Sequence, residues 1–409
     1  MPRNLRQQTI AAAAGVAADA AHGAVAPPLH LSATFAWRDA DTKPEYDYSR
    51  SGNPTRDYLG SALAELEGAA CGIVTASGMA AVDLVLNLAG PGDLVLAPHD
   101  CYGGSHRLLT ARAAKGDFRV AFVDQTNARA FEQALTQRPK LVIVETPSNP
   151  LLRVTDIAAC VRAAQAAGAL VAVDNTFLSP ALQQPIALGA DLVIHSTTKY
   201  INGHSDVVGG AVLAADAALG ETLAWWANCR GVTGAPFDSY LTLRGLRTLF
   251  PRIAQQQATA QALVDHLQTD DRVARIYYPG LPDHPGADIA ARQQHGPGAM
   301  FSVAFAAHVD IGVFLRQLRI FTIAESLGGF ESLVCRPSGM THAAMTPKAR
   351  AEAGLDDGLI RFSIGLEHAD DLKRDLVAAL DAAAQAAGTA GSRRGSRAGT
   401  RPAPLPDHA

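Results

Sequence analysis

The chain is 409 residues long, more than one compact core accommodates, and its 48% hydrophobic and 18% charged residues make a globular composition of two or more domains. A formal net charge of −4 offers no field for holding nucleic acid or anionic lipid. The five cysteines show no CxxC spacing; an odd, scattered set in so long a chain reads as reduced thiols, hence a cytoplasmic protein.

The N-terminus begins MPRNLR and continues into alanines like a signal peptide. Asp19 and His22 interrupt it and no leucine-rich core follows, so export is rejected. No stretch combines the length and the hydrophobicity of a membrane span. Residues 1–60 mix Pro27, Pro28, Pro44 and Pro54 with aromatics, lack sustained periodicity, and are expected to form an arm packed over something else. From Ser61 the pattern alternates. Residues 61–66 predict a helix, 72–75 a short strand and 79–88 another helix. Apolar runs recur at 93–97, 120–123, 141–145, 170–173, 192–194 and 211–214, several of them separated by alanine-rich helical stretches such as 157–167. This alternation predicts an α/β domain over 61–252, its sheet mostly parallel with helices on both faces. A helix at 253–267, strands at 273–277, 300–305 and 359–364, and a last helix at 372–387 predict a smaller C-terminal α/β domain over 253–387. Residues 388–409 carry no apolar face and are expected to be a disordered tail.

The chain has six lysines, and only Lys199 follows a buried-strand pattern, ADLVIHSTTK, with small hydroxyl residues just before it. A lysine at the carboxyl end of a strand can be desolvated, lose its proton and form a Schiff base with a carbonyl. That segment alone reads rather as a lysine snorkelling at a strand end. Asp174, in VAVDNTF, also ends a strand, and neighbouring parallel strands bring both ends to one crevice. A carboxylate there can pair with a pyridinium nitrogen and keep it protonated; alone, Asp174 is equally a helix N-cap. Upstream, GIVTASGM runs strand, turn, helix, so that Gly78 and Met79 present backbone N–H groups as a seat for phosphate. Ser196 and Thr198, two apart, point the same way on an extended segment and can donate hydroxyls to that phosphate. A phosphate seat, a strand-end aspartate and a strand-end lysine are three fixed points of one cofactor, pyridoxal 5'-phosphate. His99, His195 and His204 lie near these motifs without pairing into a metal site and read as structural. A nicotinamide oxidoreductase would share the α/β pattern, but no GxGxxG opens a helix, and GPGD at 90–93 is no substitute.

YSRSGNPTRD, VETPSNPLL, VDNTF, HSTTKYINGHSDVVGG and ESLGGFESL, in this order along the chain and with the resemblance covering about residues 5–385, resemble the Cys/Met-metabolism family of pyridoxal-phosphate enzymes. The resemblance implies fold type I with a seven-stranded, mostly parallel sheet, a C-terminal domain, and a homotetramer built from two catalytic dimers. It makes Lys199 the Schiff-base residue, Asp174 the ring-nitrogen partner and Tyr102 the aromatic stacked on the ring. Gly78, Met79, Ser196 and Thr198 would hold the phosphate, and Tyr48 and Arg50 in the arm would reach the phosphate of the neighbouring subunit. Arg361, in LIRFS, would grip the substrate α-carboxylate, a bidentate task suited to guanidinium. Asn149 would contact the cofactor's ring oxygen or that same carboxylate, and Glu325 and Ser326, in AESLGG, would face the substrate.

APHDCYGGSHRL, WWANCRGVTGAPFDSYLTLRGLRTL and MTHAAM are most similar to the members that replace the γ-substituent of O-succinyl-homoserine with cysteine. Small amino acids are then the partners, with no nucleic acid and no membrane. Arg107 is the cation for the distal carboxylate of the succinyl ester. A second arginine expected just after Tyr-Ser-Arg is Ser51 here, a departure that resembles enzymes of γ-elimination. Glu325 stands where enzymes of β-elimination have aromatic residues, which disfavours that reaction. The acyl donor, succinyl or acetyl, stays open.

Overall fold

The computed structural model describes residues 5–340, 354 and 358–395. Seven short strands form the larger sheet: β1 (Cys71–Thr75), β2 (Leu94–Pro98), β3 (Arg119–Val123), β4 (Leu141–Glu145), β5 (Leu170–Asp174), β6 (Leu192–His195) and β7 (Gly210–Ala214). Their order is β1-β7-β6-β5-β4-β2-β3. Only β7 runs against its neighbours; the other pairings are parallel. The apolar runs are continuous because both faces are covered. Successive side chains go to opposite sides, so Val95, Ile143, Ala172, Ile194 and Val212 join one cluster, while Leu96, Val142 and Val173 join a second. Helices Gly78–Val85, Gly103–Ala114 and Ala217–Arg230 cover the first face, and Ala128–Leu135 and Ile157–Ala166 the second.

The smaller sheet consists of β8 (Val273–Tyr277), β9 (Met300–Phe305), β10 (Thr322–Ile323), β11 (Leu333–Cys335) and β12 (Leu359–Ser363), in the order β10-β11-β12-β9-β8. Phe301 on β9 stacks on Phe362 of β12 at 4.9 Å between ring centroids. Helices Leu249–Leu267 and Ala369–Gly395 pack behind it and share one core with helix Pro54–Glu67. No helix among the described residues is long and apolar enough to cross a membrane.

Four features differ from expectation. The arm contains a short helix, Gln7–Ala13, whose single buried residue, Ala11, is too little to show as periodicity. The helix expected from residue 61 starts at Pro54, where Asn53 Oδ1 accepts from the N–H groups of Thr55 and Arg56 at 3.0 and 3.3 Å and proline fits the first position. The last helix does not stop at 387 but continues to Gly395, through a segment expected to be disordered. The helix runs on there through Gly388, Gly391 and Gly395, against their low intrinsic propensity, as a continuation of the turns before it. The long helix expected from residue 253 begins at Leu249.

Candidate active site

β5 and β6 are adjacent and parallel, with Asp174 in register with Ile194, so Asp174 and the turn after His195 meet at the carboxyl edge of the sheet. A cleft of about 360 Å³ opens there, and Lys199, Asp174, Gly78, Met79, Tyr102, Ser196, Thr198, Asn149, Glu325, Ser326 and Arg361 all line it. The smaller sheet contributes Arg361 from β12, and the loop before β11 contributes Glu325 and Ser326. A second cavity, about 500 Å³, lies between Arg153, Arg275 and His284, but its described lining includes neither a lysine nor a carboxylate. Size does not choose the site; the convergence of titratable groups does.

Burial pushes the Lys199 ammonium below its usual value of 10.5, and the nearby Arg361 guanidinium adds to this; Asp174 and Glu325 pull the other way. A buried amine that gives up its proton readily is a nucleophile for a carbonyl carbon. Asp174 accepts from the Thr176 N–H at 3.0 Å, and the Thr176 hydroxyl oxygen accepts from the Ser196 N–H at 2.9 Å. Burial raises the Asp174 carboxyl, against the pull of Thr176, His195 and Lys199. Glu145 stands beside it in register on β4, and burial, then Asp174, raise its carboxyl well above the usual range. Its Oε2 accepts the Tyr102 N–H at 2.8 Å. Two carboxyls packed this closely in a dry site welcome a cationic N–H, which is what a protonated pyridine ring offers.

The start of helix Gly78–Val85 has the shape that a phosphate seat requires. Ser77 caps helix Gly78–Val85 by accepting the Ala80 N–H at 3.0 Å, and its carbonyl takes the Ala81 N–H at 3.0 Å. The amides of Gly78 and Met79 precede those bonds, as an anion requires. A Cβ on Gly78 would lie 2.6 Å from Ser196 Cβ, so only glycine lets the helix start approach the strand-end serine. Thr198 Oγ1 is engaged with Gly209, donating to its carbonyl at 3.1 Å and accepting its N–H at 3.0 Å. The Tyr102 ring packs on Gly104, where a Cβ would stand 2.5 Å from Tyr102 Cε1, and this fixes its orientation at the cleft.

Arg361 is 3% exposed. Its Nη1 donates to Asn149 Oδ1 and its Nη2 to the Ser326 carbonyl, both at 2.8 Å, while Nε has no partner among the described residues. Ser326 holds a φ of +86°, a strained conformation for a residue with a Cβ, and its carbonyl is thereby given to the guanidinium. A buried, oriented guanidinium with an orphan donor is suited to a carboxylate.

Three expected residues do not line this cleft. Tyr48 is exposed; Arg50 lies 5.7 Å from its ring and donates to Asn228 O and Oδ1 at 2.8 and 3.0 Å. Arg107 is exposed on helix Gly103–Ala114. Residues 341–345 of MTHAAM lie outside the described residues. His99, His195 and His204 stay out of the cleft: His195 lies 2.7 Å from Glu67, and His204 2.7 Å from the Asn202 carbonyl. Glu145 and Thr176 were not singled out from sequence. Glu145 had a signal, since VETP ends its strand as VAVD does; Thr176 acts through a register that no local pattern reveals.

A desolvated lysine in the turn four residues beyond one strand, a carboxylate at the end of the neighbouring strand and a helix start shaped to seat a phosphate define a fold type I pyridoxal-phosphate enzyme, and the residues fit that cofactor. The chain belongs to the Cys/Met metabolism PLP-dependent enzyme family, whose model matches residues 8–381. It is 54% identical to cystathionine gamma-synthase of Escherichia coli (strain K12), over 91% of this chain and 97% of that one. The crystal structure of cystathionine gamma synthase from Xanthomonas oryzae pv. oryzae in complex with cystathionine superposes with a TM-score of 0.92 at 55% identity, covering 94% of this chain and 100% of that one. Cystathionine gamma-lyase of Bacillus subtilis (strain 168) is 41% identical over 92% of this chain and 99% of its own.

Proposed function

We propose that this chain acts as a cystathionine gamma-synthase, joining O-succinyl-homoserine and cysteine into cystathionine and succinate, in the cytoplasm. The Cγ–O bond breaks and its electron pair leaves with succinate; a Cγ–S bond forms to the cysteine sulfur, whose proton is released. What carries the reading is one observation: likeness to gamma-synthases at 54–55% identity against 41% for the gamma-lyase, over nearly equal lengths.

When bound, pyridoxal phosphate supplies an electron sink for charge developing at the substrate's α-carbon. The chain's own residues do the rest. Arg361, held by Asn149 and Ser326 at the cleft, takes the α-carboxylate with its remaining N–H groups and fixes which bond is presented to Lys199. Lys199 Nζ, kept short of its proton by burial, takes protons from Cα and Cβ and returns them. Asp174 would hold a ring N–H, Tyr102 would cover the ring, and the amides of Gly78 and Met79 with Ser196 and Thr198 would hold the phosphate. Glu325, at the cleft, faces an incoming ammonium group. Tyr48 and Arg50 complete the site of a second copy, within a tetramer of two catalytic dimers, and Arg107 meets the distal carboxylate of the ester.

One observation favours a second reading, γ-elimination of cystathionine: Ser51 stands where a second cation for the succinyl group is expected. The deciding experiment supplies O-succinyl-homoserine with cysteine, and cystathionine alone, and compares kcat/KM for cystathionine formation and for 2-oxobutyrate release. Formation is expected to dominate. Arg107→Ala removes a charged contact of about 1–3 kcal/mol and is expected to raise KM for the ester roughly 5- to 150-fold. Dominant cleavage together with an indifferent Arg107→Ala replaces the synthase with the lyase.

A further inference from the structure

Glu67 is the last residue of helix Pro54–Glu67, whose last turn holds no basic residue. A carboxylate there opposes the negative end of the helix dipole, and Glu67 is also buried, at 1% exposure. Gly68, with a φ of +73°, ends the helix at once and leaves that carboxylate facing the sheet edge. A placement that breaks two local rules calls for compensation. Two groups supply it, both at Oε1: Asn175 Nδ2 at 2.9 Å and His195 Nε2 at 2.7 Å. Both residues are fully buried.

These partners are the residues next to the cofactor contacts. Asn175 follows Asp174 at the end of β5, and His195 precedes Ser196 at the end of β6. Neighbouring side chains on extended chain point to opposite faces. Asp174 and Ser196 accordingly line the cleft, and Asn175 and His195 do not. On the cleft side Thr176 already ties the two strand ends, accepting from the Ser196 N–H at 2.9 Å and donating its own N–H to Asp174 at 3.0 Å. Behind them one carboxylate does the same.

We infer that Glu67 is a positioning residue of the cofactor site: by bridging Asn175 to His195 it sets the spacing between the carboxylate for the ring nitrogen and the hydroxyl for the phosphate. This rests on the cofactor and is independent of which reaction the enzyme performs. Each arm of the bridge serves one end of the cofactor, which separates this role from general support of the core.

The test uses purified holoenzyme and two readouts that do not involve turnover. The pH midpoint of the bound cofactor's visible absorption follows the imine nitrogen, whose acidity depends on the charge held at the conjugated ring nitrogen, and the ³¹P resonance reports on the phosphate. Glu67→Leu is expected to move both and to weaken cofactor affinity about tenfold or more, since two buried donors lose their acceptor. Glu67→Gln, whose amide oxygen still accepts, is expected to stay within about twofold of wild type. Asn175→Ala should shift mainly the absorption midpoint and His195→Phe mainly the ³¹P resonance. Wild-type readouts in Glu67→Leu overturn the inference. So does equal damage from Glu67→Gln, or single-arm variants that perturb both ends alike. Failure of every variant to fold makes Glu67 a core support and overturns it too.

Discussion

Lys199 was distinguishable in the sequence because it is one of six lysines and the only one behind a buried strand. What the structure adds is why its amine is usable: burial and Arg361 both act against the ammonium. Borohydride reduction of the holoenzyme is expected to bleach the visible band and fix a pyridoxyl group on Lys199 alone; a label mapped to another lysine removes it from its role. The depressed ammonium has a consequence for the cofactor-free protein. Between the lowered folded value and 10.5 the unfolded chain binds the proton that the native chain refuses, so stability rises with pH across that window. Lys199→Met removes the penalty. The variant's gain in urea midpoint should be largest below the folded value and vanish as pH approaches 10.5. A gain that grows with pH would contradict the sign. Asp174 and Arg361 both line the cleft, yet each depends on a partner that no local pattern singles out. Thr176 orients Asp174, and the Ser326 carbonyl at positive φ helps hold Arg361.

At the scale of elements, the proposed phosphate seat is a helix start whose approach to Ser196 depends on one missing methyl group. Gly78→Ala puts a carbon 2.6 Å from Ser196 Cβ, and relief by backbone shift costs about 1–3 kcal/mol. Because the shift falls on the amides of Gly78 and Met79 and on Ser196, cofactor affinity is expected to drop about 5- to 100-fold while far-ultraviolet circular dichroism stays native. Equilibrium dialysis with pyridoxal phosphate measures it, and unchanged affinity would place the phosphate elsewhere. The strands were legible as elements because both faces are covered and the apolar runs are continuous. Helix ends were less so, since Asn53 and Pro54 act before the apolar pattern begins and the last helix runs on through a sequence with no apolar periodicity.

For the whole molecule, the arm is the part whose expected cofactor residues stay outside the cleft of their own chain. Tyr48 and Arg50 lie outside their own chain's cleft, Arg50 bound to Asn228 at the end of helix Ala217–Arg230. If they serve a second copy, mixing Lys199→Ala chains with Arg50→Ala chains regenerates one sound site in each hybrid pair. Recovered activity is expected to approach roughly a quarter of wild type when hybrids are half the population, each with one of two sites intact. Verified hybrids without recovery would assign the arm to its own subunit.

The sequence by itself determined the alternation of strands and helices, the lysine, the strand-end aspartate and the glycine of the phosphate seat. These are local properties: apolar period, residue rarity and turn chemistry are all written within a few positions of one another. Tertiary structure decided what depends on residues far apart in the chain. Sheet order set β5 beside β6 and β4, and so placed Asp174 by Lys199 and paired Glu145 with Asp174. The smaller sheet brought Arg361 to Asn149, 212 residues earlier, and the end of helix Pro54–Glu67 brought Glu67 behind the same strand ends, 128 residues before His195. No short window of sequence records such distances, because the energy that fixes them comes from burying whole faces rather than from any single neighbouring residue.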